Sequence, residues 1–316
     1  MDVVNTRFWK LNLSEYQSIV HCHSNNSTEY IERVFNQKRS HISIDSARYS
    51  DIATNVRKEC ESNVSLTSIN LQDNNLVPED AKHIAQGIAV SASLTSINLR
   101  ANYIGAEGAK HIAEGIAVSA SLTRVDLLSN RFDDTTVLML LDFKKKKTSL
   151  LTLCGLELGA TAVDFSHCLN LYDVKLLAPE IAVSASLTSI NLRGNTVGVK
   201  GAKYVSKGIA VSASLTSINL SGNDVGDEGA TFIAQGISVS ASLRSIDLSD
   251  NRLDDEAAKH IAEGISVSAS LTCIDLGYNR IGEKGAKHIA KGISDSASLT
   301  NVLAFVSNHL LDSLLF

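Results

Sequence analysis

Eight positions form a column of asparagine or aspartate: Asn70, Asn98, Asp126, Asp164, Asn191, Asn219, Asp247 and Asp275. Strands of one sheet lie about 4.8 Å apart. If the chain stacks this column, Asp126 should neighbour Asp164, and Asp247 should neighbour Asp275. Like charges at that separation repel and hold protons more tightly unless a cation answers them. Two chemistries fit. The carboxylates dock a lysine or arginine of a partner protein, or Arg124 and Arg244 neutralise them within the sheet. Arg100, Arg193, Tyr278 and Phe305 are the few large side chains near the column able to anchor an interface.

Other chemistry-bearing residues read more plainly. His83, His111, His260 and His288 share one repeated position. At about 100° per helical residue, His111 lies about 200° from Ala109, nearly opposite an apolar stripe. Neighbouring helices about 10 Å apart cannot share one ion between these rings, so the column reads as a solvated face. His21-Cys22-His23 cannot all close on one metal, and no second ligand pair has zinc spacing. The Gly105-x-x-Gly108 pattern lacks the lysine and hydroxyl of a phosphate-binding loop. Serines recur in every Val-Ser-Ala-Ser-Leu, whereas a catalytic serine is singular. Lys144 to Lys147 reads as a solvated helix end, with a nuclear address as the alternative. The expectation is a protein without catalytic residues, metal or cofactor.

These columns exist because the sequence repeats. Ser-Leu-Thr-Ser-Ile-Asn-Leu begins at Ser65 and Ser93, recurs in altered form at Ser121, and restarts at Ser186, Ser214, Ser242, Ser270 and Ser298, always in steps of 28. A fixed period of this size means stacked supersecondary units, each unable to bury its apolar face alone. Leu94-Thr-Ser-Ile97-Asn-Leu99-Arg-Ala-Asn102-Tyr-Ile104 fits L-x-x-L-x-L-x-x-N-x-L, a short strand with one buried face. Asn74, Asn102, Asn130, Asn195, Asn223, Asn251 and Asn279 should form a ladder of amides satisfying turn backbone. Ala109, Ile112, Ala113 and Ile116 mark one stripe of a helix.

The pattern resembles the ribonuclease-inhibitor-like leucine-rich-repeat proteins from Ser65 to about Asn308. The resemblance implies an α/β solenoid shaped as a horseshoe, with a parallel sheet on the concave side and helices on the convex side. It also implies a non-enzymatic scaffold that binds another protein on the concave face. The same repeat subtype occurs in Ran GTPase-activating proteins and in intracellular immune receptors. That leaves a regulator of a small GTPase and a fragment of an immune-type sensor as alternatives.

Residues 149–185 depart from the period. Gly159 to Ala185 reads as a degenerate repeat with Cys168 in the asparagine position, preceded by an insertion near Leu150 to Leu158. Residues 1–64 read as an N-terminal helical or capping region, with Val56 and Cys60 in register with Ile84 and Ile88; residues 65–316 form the repeat domain. The apolar Leu310, Leu311, Leu314, Leu315 and Phe316 fold back, meet a partner or end a fragment. Net charge of -5 gives no reason to expect nucleic acid. No apolar run is long enough for a membrane span. The absence of a signal-like N-terminus and the five irregularly spaced cysteines predict a cytoplasmic protein, with the nucleus as alternative.

Overall fold

A computed structural model describes residues 40–44 and 52–303, and everything below concerns those residues. Strands and helices alternate in the order β1 (His41–Ser43), α1 (Ile52–Ser62), β2 (Ser68–Asn70), α2 (Pro78–Val90), β3 (Ser96–Asn98), α3 (Gly105–Val118), β4 (Arg124–Asp126), α4 (Asp134–Lys146) and β5 (Ala162–Asp164). They continue as α5 (Leu171–Val183), β6 (Ser189–Asn191), α6 (Gly198–Val211), β7 (Ser217–Asn219), α7 (Gly226–Val239), β8 (Ser245–Asp247), α8 (Asp255–Val267), β9 (Cys273–Asp275), α9 (Glu283–Asp295) and β10 (Asn301–Leu303). The strands pair in parallel as two sheets, β1 to β4 and β5 to β10, each in sequence order. This is the solenoid expected from the repeat, with the sheets on the concave face and the helices on the convex face.

Each strand has three residues because only the middle one serves the core. Ile69, Ile97, Val125, Ile190, Ile218, Ile246 and Ile274 are buried, while their flanking residues face outward. Threonines tie successive units together: Thr95 Oγ1 donates to the Thr67 carbonyl at 3.0 Å, and Thr216 to Thr188 at 3.0 Å. The loop serines are structural as expected. Ser270 Oγ donates to the Ser240 carbonyl at 2.8 Å, and Ser240 Oγ accepts the Leu243 amide at 3.2 Å.

The asparagine ladder forms. Asn251 Nδ2 donates to the carbonyls of Leu220 and Ser249, and its Oδ1 accepts the amides of Asn223 and Val225. Cys168 takes the corresponding place in the degenerate repeat: its amide donates to Asn195 Oδ1 at 2.8 Å and its thiol to the Phe165 carbonyl at 2.9 Å. The residue before each ladder position is left-handed, as at Ala101 (φ 55°) and Tyr278 (φ 54°).

Helices approach each other at a recurring glycine. A Cβ on Gly264 would lie 2.7 Å from the Ala234 carbonyl oxygen, with the same crowding at Gly115 and Gly292. Overpacking of this kind costs about 1–3 kcal/mol, more than the roughly 1 kcal/mol that alanine gains over glycine in helix propensity. Gly264→Ala is therefore expected to destabilise the protein. A urea midpoint equal to or above that of the wild type would contradict this packing.

Between β4 and β5 both layers are interrupted. Thr152 and Cys154 of the insertion bridge to Arg124 and Asp126, taking the place beside β4 that the next repeat would fill. Glu180 of α5 stands where Gly87, Gly115, Gly208, Gly236, Gly264 and Gly292 stand in six other units, and α4 packs far less closely against its neighbours than the other helices do. Glu180, 4% exposed, fills the gap. Its carboxylate accepts from Lys144 Nζ at 2.8 Å, the Leu153 amide at 2.7 Å and Thr152 Oγ1 at 2.6 Å. Asp173 crosses the same seam to the Ser129 amide at 2.7 Å. Backbone bonds tie the insertion to β4, and charged side chains of α5 tie both to the next unit.

The segment expected as a helical cap contributes a strand as well as a helix. Val56 and Cys60 of α1 are buried as their register implied, and β1 adds to the sheet by pairing with β2. His21, Cys22, His23, Phe305 and the apolar C-terminal residues lie outside the described residues. No described helix is long and apolar enough to cross a membrane.

Candidate functional site

Every residue of the asparagine and aspartate column lies on the sheet face, and the structure gives the column a second task. In each unit its Oδ1 accepts the amide two residues ahead: Asn98 from Arg100 at 2.9 Å, Asp164 from Ser166 at 2.9 Å, Asn191 from Arg193 at 3.0 Å, Asn219 from Ser221 at 2.8 Å. The same bond joins Asp126 to Leu128 at 3.0 Å, Asp247 to Ser249 at 2.9 Å and Asp275 to Gly277 at 2.8 Å. An Asn or Asp side chain in this bend closes an Asx turn, which explains why only these two residue types occur there.

The expected pairs separate into one that forms and one that does not. Asp247 and Asp275 are register partners on β8 and β9. Burial, then the neighbouring Asp247 charge, raises the pKa of Asp275 above its ordinary value. Asp126 does not neighbour Asp164. The insertion occupies the slot beside β4, and Asp164 pairs instead with Asn191 at the edge of the second sheet. Among the described residues, Arg124 and Arg244 form no ion pair with Asp126, Asp247 or Asp275. Arg244 reaches the Ser270 carbonyl at 3.3 Å, and the cation acting on Asp126 is Arg100.

Arg100 is anchored at the seam, its guanidinium 2.6 Å from Cys168 Sγ and 5.0 Å from the Phe165 ring centroid. Arg193 is exposed, and Tyr278 is 77% exposed at the strand exit. The histidine column lies on the helices as expected; His111 sits 3.5 Å from Glu114 and His260 3.3 Å from Glu263 of its own helix. The lysine run is not merely a solvated helix end: Lys144 is committed to Glu180, and Lys147 Nζ caps α3 through the carbonyls of Ala117 and Ser119 at 3.0 and 2.9 Å.

Ser68, Ser96, Ser189, Ser217 and Ser245 share the face, half-buried, with hydroxyls uncommitted to any described residue. The alternation that selects the Asn column selects these serines too, two residues earlier. They are the positions a ligand can engage without disturbing a turn.

Asp126 is the most perturbed carboxylate on the face. It is 8% exposed, and burial pushes its pKa up to about 6, with Glu180 and Asp173 adding to the rise and Arg100 and the Leu128 amide opposing it. A folded-state pKa above the unfolded value of 3.8 means the native protein holds the proton more tightly. The contribution to stability is greatest below the unfolded value and is lost as pH rises from about 4 to about 6. Its size is about 3 kcal/mol. Asp126→Asn, which installs the residue found at Asn70, Asn98, Asn191 and Asn219, keeps the turn-closing oxygen. It is expected to add up to about 3 kcal/mol of stability at pH 7.5 and to flatten the pH dependence between 4 and 6. Parallel stability–pH curves for the two proteins would refute the assignment.

A family model described as leucine rich repeat matches residues 90–113, 183–206, 211–234, 239–262 and 267–290. No curated protein matches the sequence. Among solved structures, the chain is similar to the tropomodulin C-terminal domain of Caenorhabditis elegans, at TM-score 0.41 and 16% identity over 45% of this chain and 89% of that one. It is similar to the actin-binding site 2 of leiomodin-1 at TM-score 0.40 and 14% identity, over 46% and 87%. It is also similar to the leucine-rich-repeat-containing protein LegL7 of Legionella pneumophila at TM-score 0.47 and 20% identity, over 92% and 91%. The five matched segments and the strand-turn-helix units that continue them in register identify the chain as a leucine-rich-repeat protein.

Proposed function

We propose that the protein is a non-enzymatic scaffold of the ribonuclease-inhibitor-like type that binds another protein on its sheet face. One observation carries this reading. The face presents a row of half-buried serines, Ser68, Ser96, Ser189, Ser217 and Ser245, that serve neither the core nor a turn. Strands about 4.8 Å apart make such a row an extended array of donors and acceptors, and many modest contacts supply affinity where aromatic anchors are few. Four thiols, Cys60, Cys154, Cys168 and Cys273, are unpaired, which favours a reducing compartment such as the cytoplasm.

The experiment is affinity capture from the source cell's lysate with wild type beside a Ser217→Arg/Ser245→Arg double variant. These serines are better targets than Asn219, Asp247 or Asp275, whose side chains close turns. Retention by the wild type and loss by the variant is the expected result. Equal capture by both would place the interface elsewhere.

A further inference from the structure

We propose that Asp126 anchors a cleft on the first sheet that receives a basic side chain, lysine or arginine, from an extended segment of a partner protein. This rests on the reading of the sheet face as a docking surface and gives it a chemistry.

The cleft has a volume of about 480 Å³ and runs across β1 to β4. The insertion bounds one end: Gly155 (φ 68°), whose amide donates to the Val125 carbonyl at 3.1 Å, and Glu157 line it. The floor offers Ser68, Ser96, Asn70 and Asn98. Four strands span about 14 Å, the length of an extended tetrapeptide rather than of a small amine.

Asp126 is the buried end of this cleft. One carboxylate oxygen, Oδ1, is held by the Leu128 amide at 3.0 Å. The other, Oδ2, has no hydrogen-bond partner among the described residues and is not sealed from solvent. It rests against Gly155, where a Cβ would come within 2.6 Å, so only glycine lets the insertion pack this closely against the carboxylate without covering it further. The charged groups acting on Asp126 are Arg100 from the turn after β3 and Asp173 and Glu180 from α5; Arg124, His41 and Glu157 also line the cleft. Arg100 is already engaged with Cys168 and Phe165. Lys144, the other cation at the seam, is bound to Glu180. No ion pair reaches the Asp126 carboxylate from these groups, and its elevated pKa of about 6 is the sign of a buried charge inadequately answered. A partner's ammonium or guanidinium donating to Oδ2, with Glu157 behind it, answers that charge. Binding then requires ionised Asp126, so with a pKa of about 6 the affinity should fall about tenfold between pH 7.5 and pH 5.

The test is an NMR titration of the full chain with the blocked peptide acetyl-Ser-Gly-Lys-Gly-Ser-amide, beside the same peptide carrying Nε-acetyl-lysine and beside n-butylamine. Wild type and Asp126→Asn are compared; the variant carries the residue that four other units tolerate here. The proposal expects amide shifts confined to Ser96–Asn98, Asp126–Leu128 and Cys154–Glu157. It expects at least tenfold weaker binding for the acetylated peptide, for the variant, and for wild type at pH 5. Equal affinity for wild type and variant, or no shift in the cleft, overturns it. Butylamine binding as tightly as the peptide overturns the assignment to a partner segment. The broader docking reading is judged separately by the Ser217→Arg/Ser245→Arg capture, so the two can fail independently.

Discussion

Asn251→Ala is expected to lower the stability of the protein by about 2–5 kcal/mol. Asn251 is fully buried and makes four hydrogen bonds: to the carbonyls of Leu220 at 2.8 Å and Ser249 at 3.0 Å, and from the amides of Asn223 at 3.1 Å and Val225 at 3.2 Å. Alanine leaves the Asn223 and Val225 amides unpaired in a dry interior, where each costs about 1–3 kcal/mol, and adds a small cavity; the Leu220 and Ser249 carbonyls keep partners in Asn223 Nδ2 and the Gly222 amide. Stability in a repeat protein is carried by nearest-neighbour interfaces, so the damage falls on the joint between two units. Asn279 makes equivalent bonds, but it is half-buried near the end of the described stack and is expected to cost less. Urea unfolding of both variants measures the difference. A cost below 1 kcal/mol at Asn251 would mean the ladder is geometry without energy.

Glu180→Ala tests the seam and is expected to cost about 3–5 kcal/mol. The variant strands Lys144 Nζ, the Leu153 amide and Thr152 Oγ1, all of which now bond to one carboxylate that is 4% exposed. Removing one member of a buried pair leaves the other uncompensated, and that penalty exceeds what the intact pair contributes. The comparison with Glu180→Gln separates charge from shape, since glutamine retains an acceptor for the Leu153 amide and should lose less. Hydrogen exchange at Leu153 should accelerate in the alanine variant while exchange at Leu248, in a regular unit, stays unchanged. If Leu153 keeps its protection, Glu180 does not hold the insertion. Small residues suit this helix position elsewhere only because neighbouring backbones touch there; at the seam the insertion has parted them.

The sequence made the regular units legible because each one sees identical neighbours. An asparagine recurring every 28 residues at the end of a strand has one plausible backbone task, and the ladder at Asn102, Asn223 and Asn251 performs it. Cys168 was readable as its substitute for the same reason. The placement of Asp247 beside Asp275 followed from period and strand spacing alone. The turn-closing role of the same residues did not, because period fixes which face a side chain occupies and not which amide it bends back to meet. Asp126 and Asp164 were misplaced because consecutive repeats were assumed to pair, whereas Thr152 and Cys154 of the insertion take the intervening slot. The substitution of glutamate for glycine at residue 180 was visible in the register. Its partners were not, since Lys144, Thr152 and Leu153 belong to the stretch where the register breaks.

The measurement that tests the account most directly is hydrogen exchange on the protein alone and saturated with a captured partner. The account predicts added protection on the amides of β6, β7 and β8 and of the turns that follow them, with the convex helices α6, α7 and α8 unchanged. Protection confined to those helices, with the strands unaltered, would contradict it.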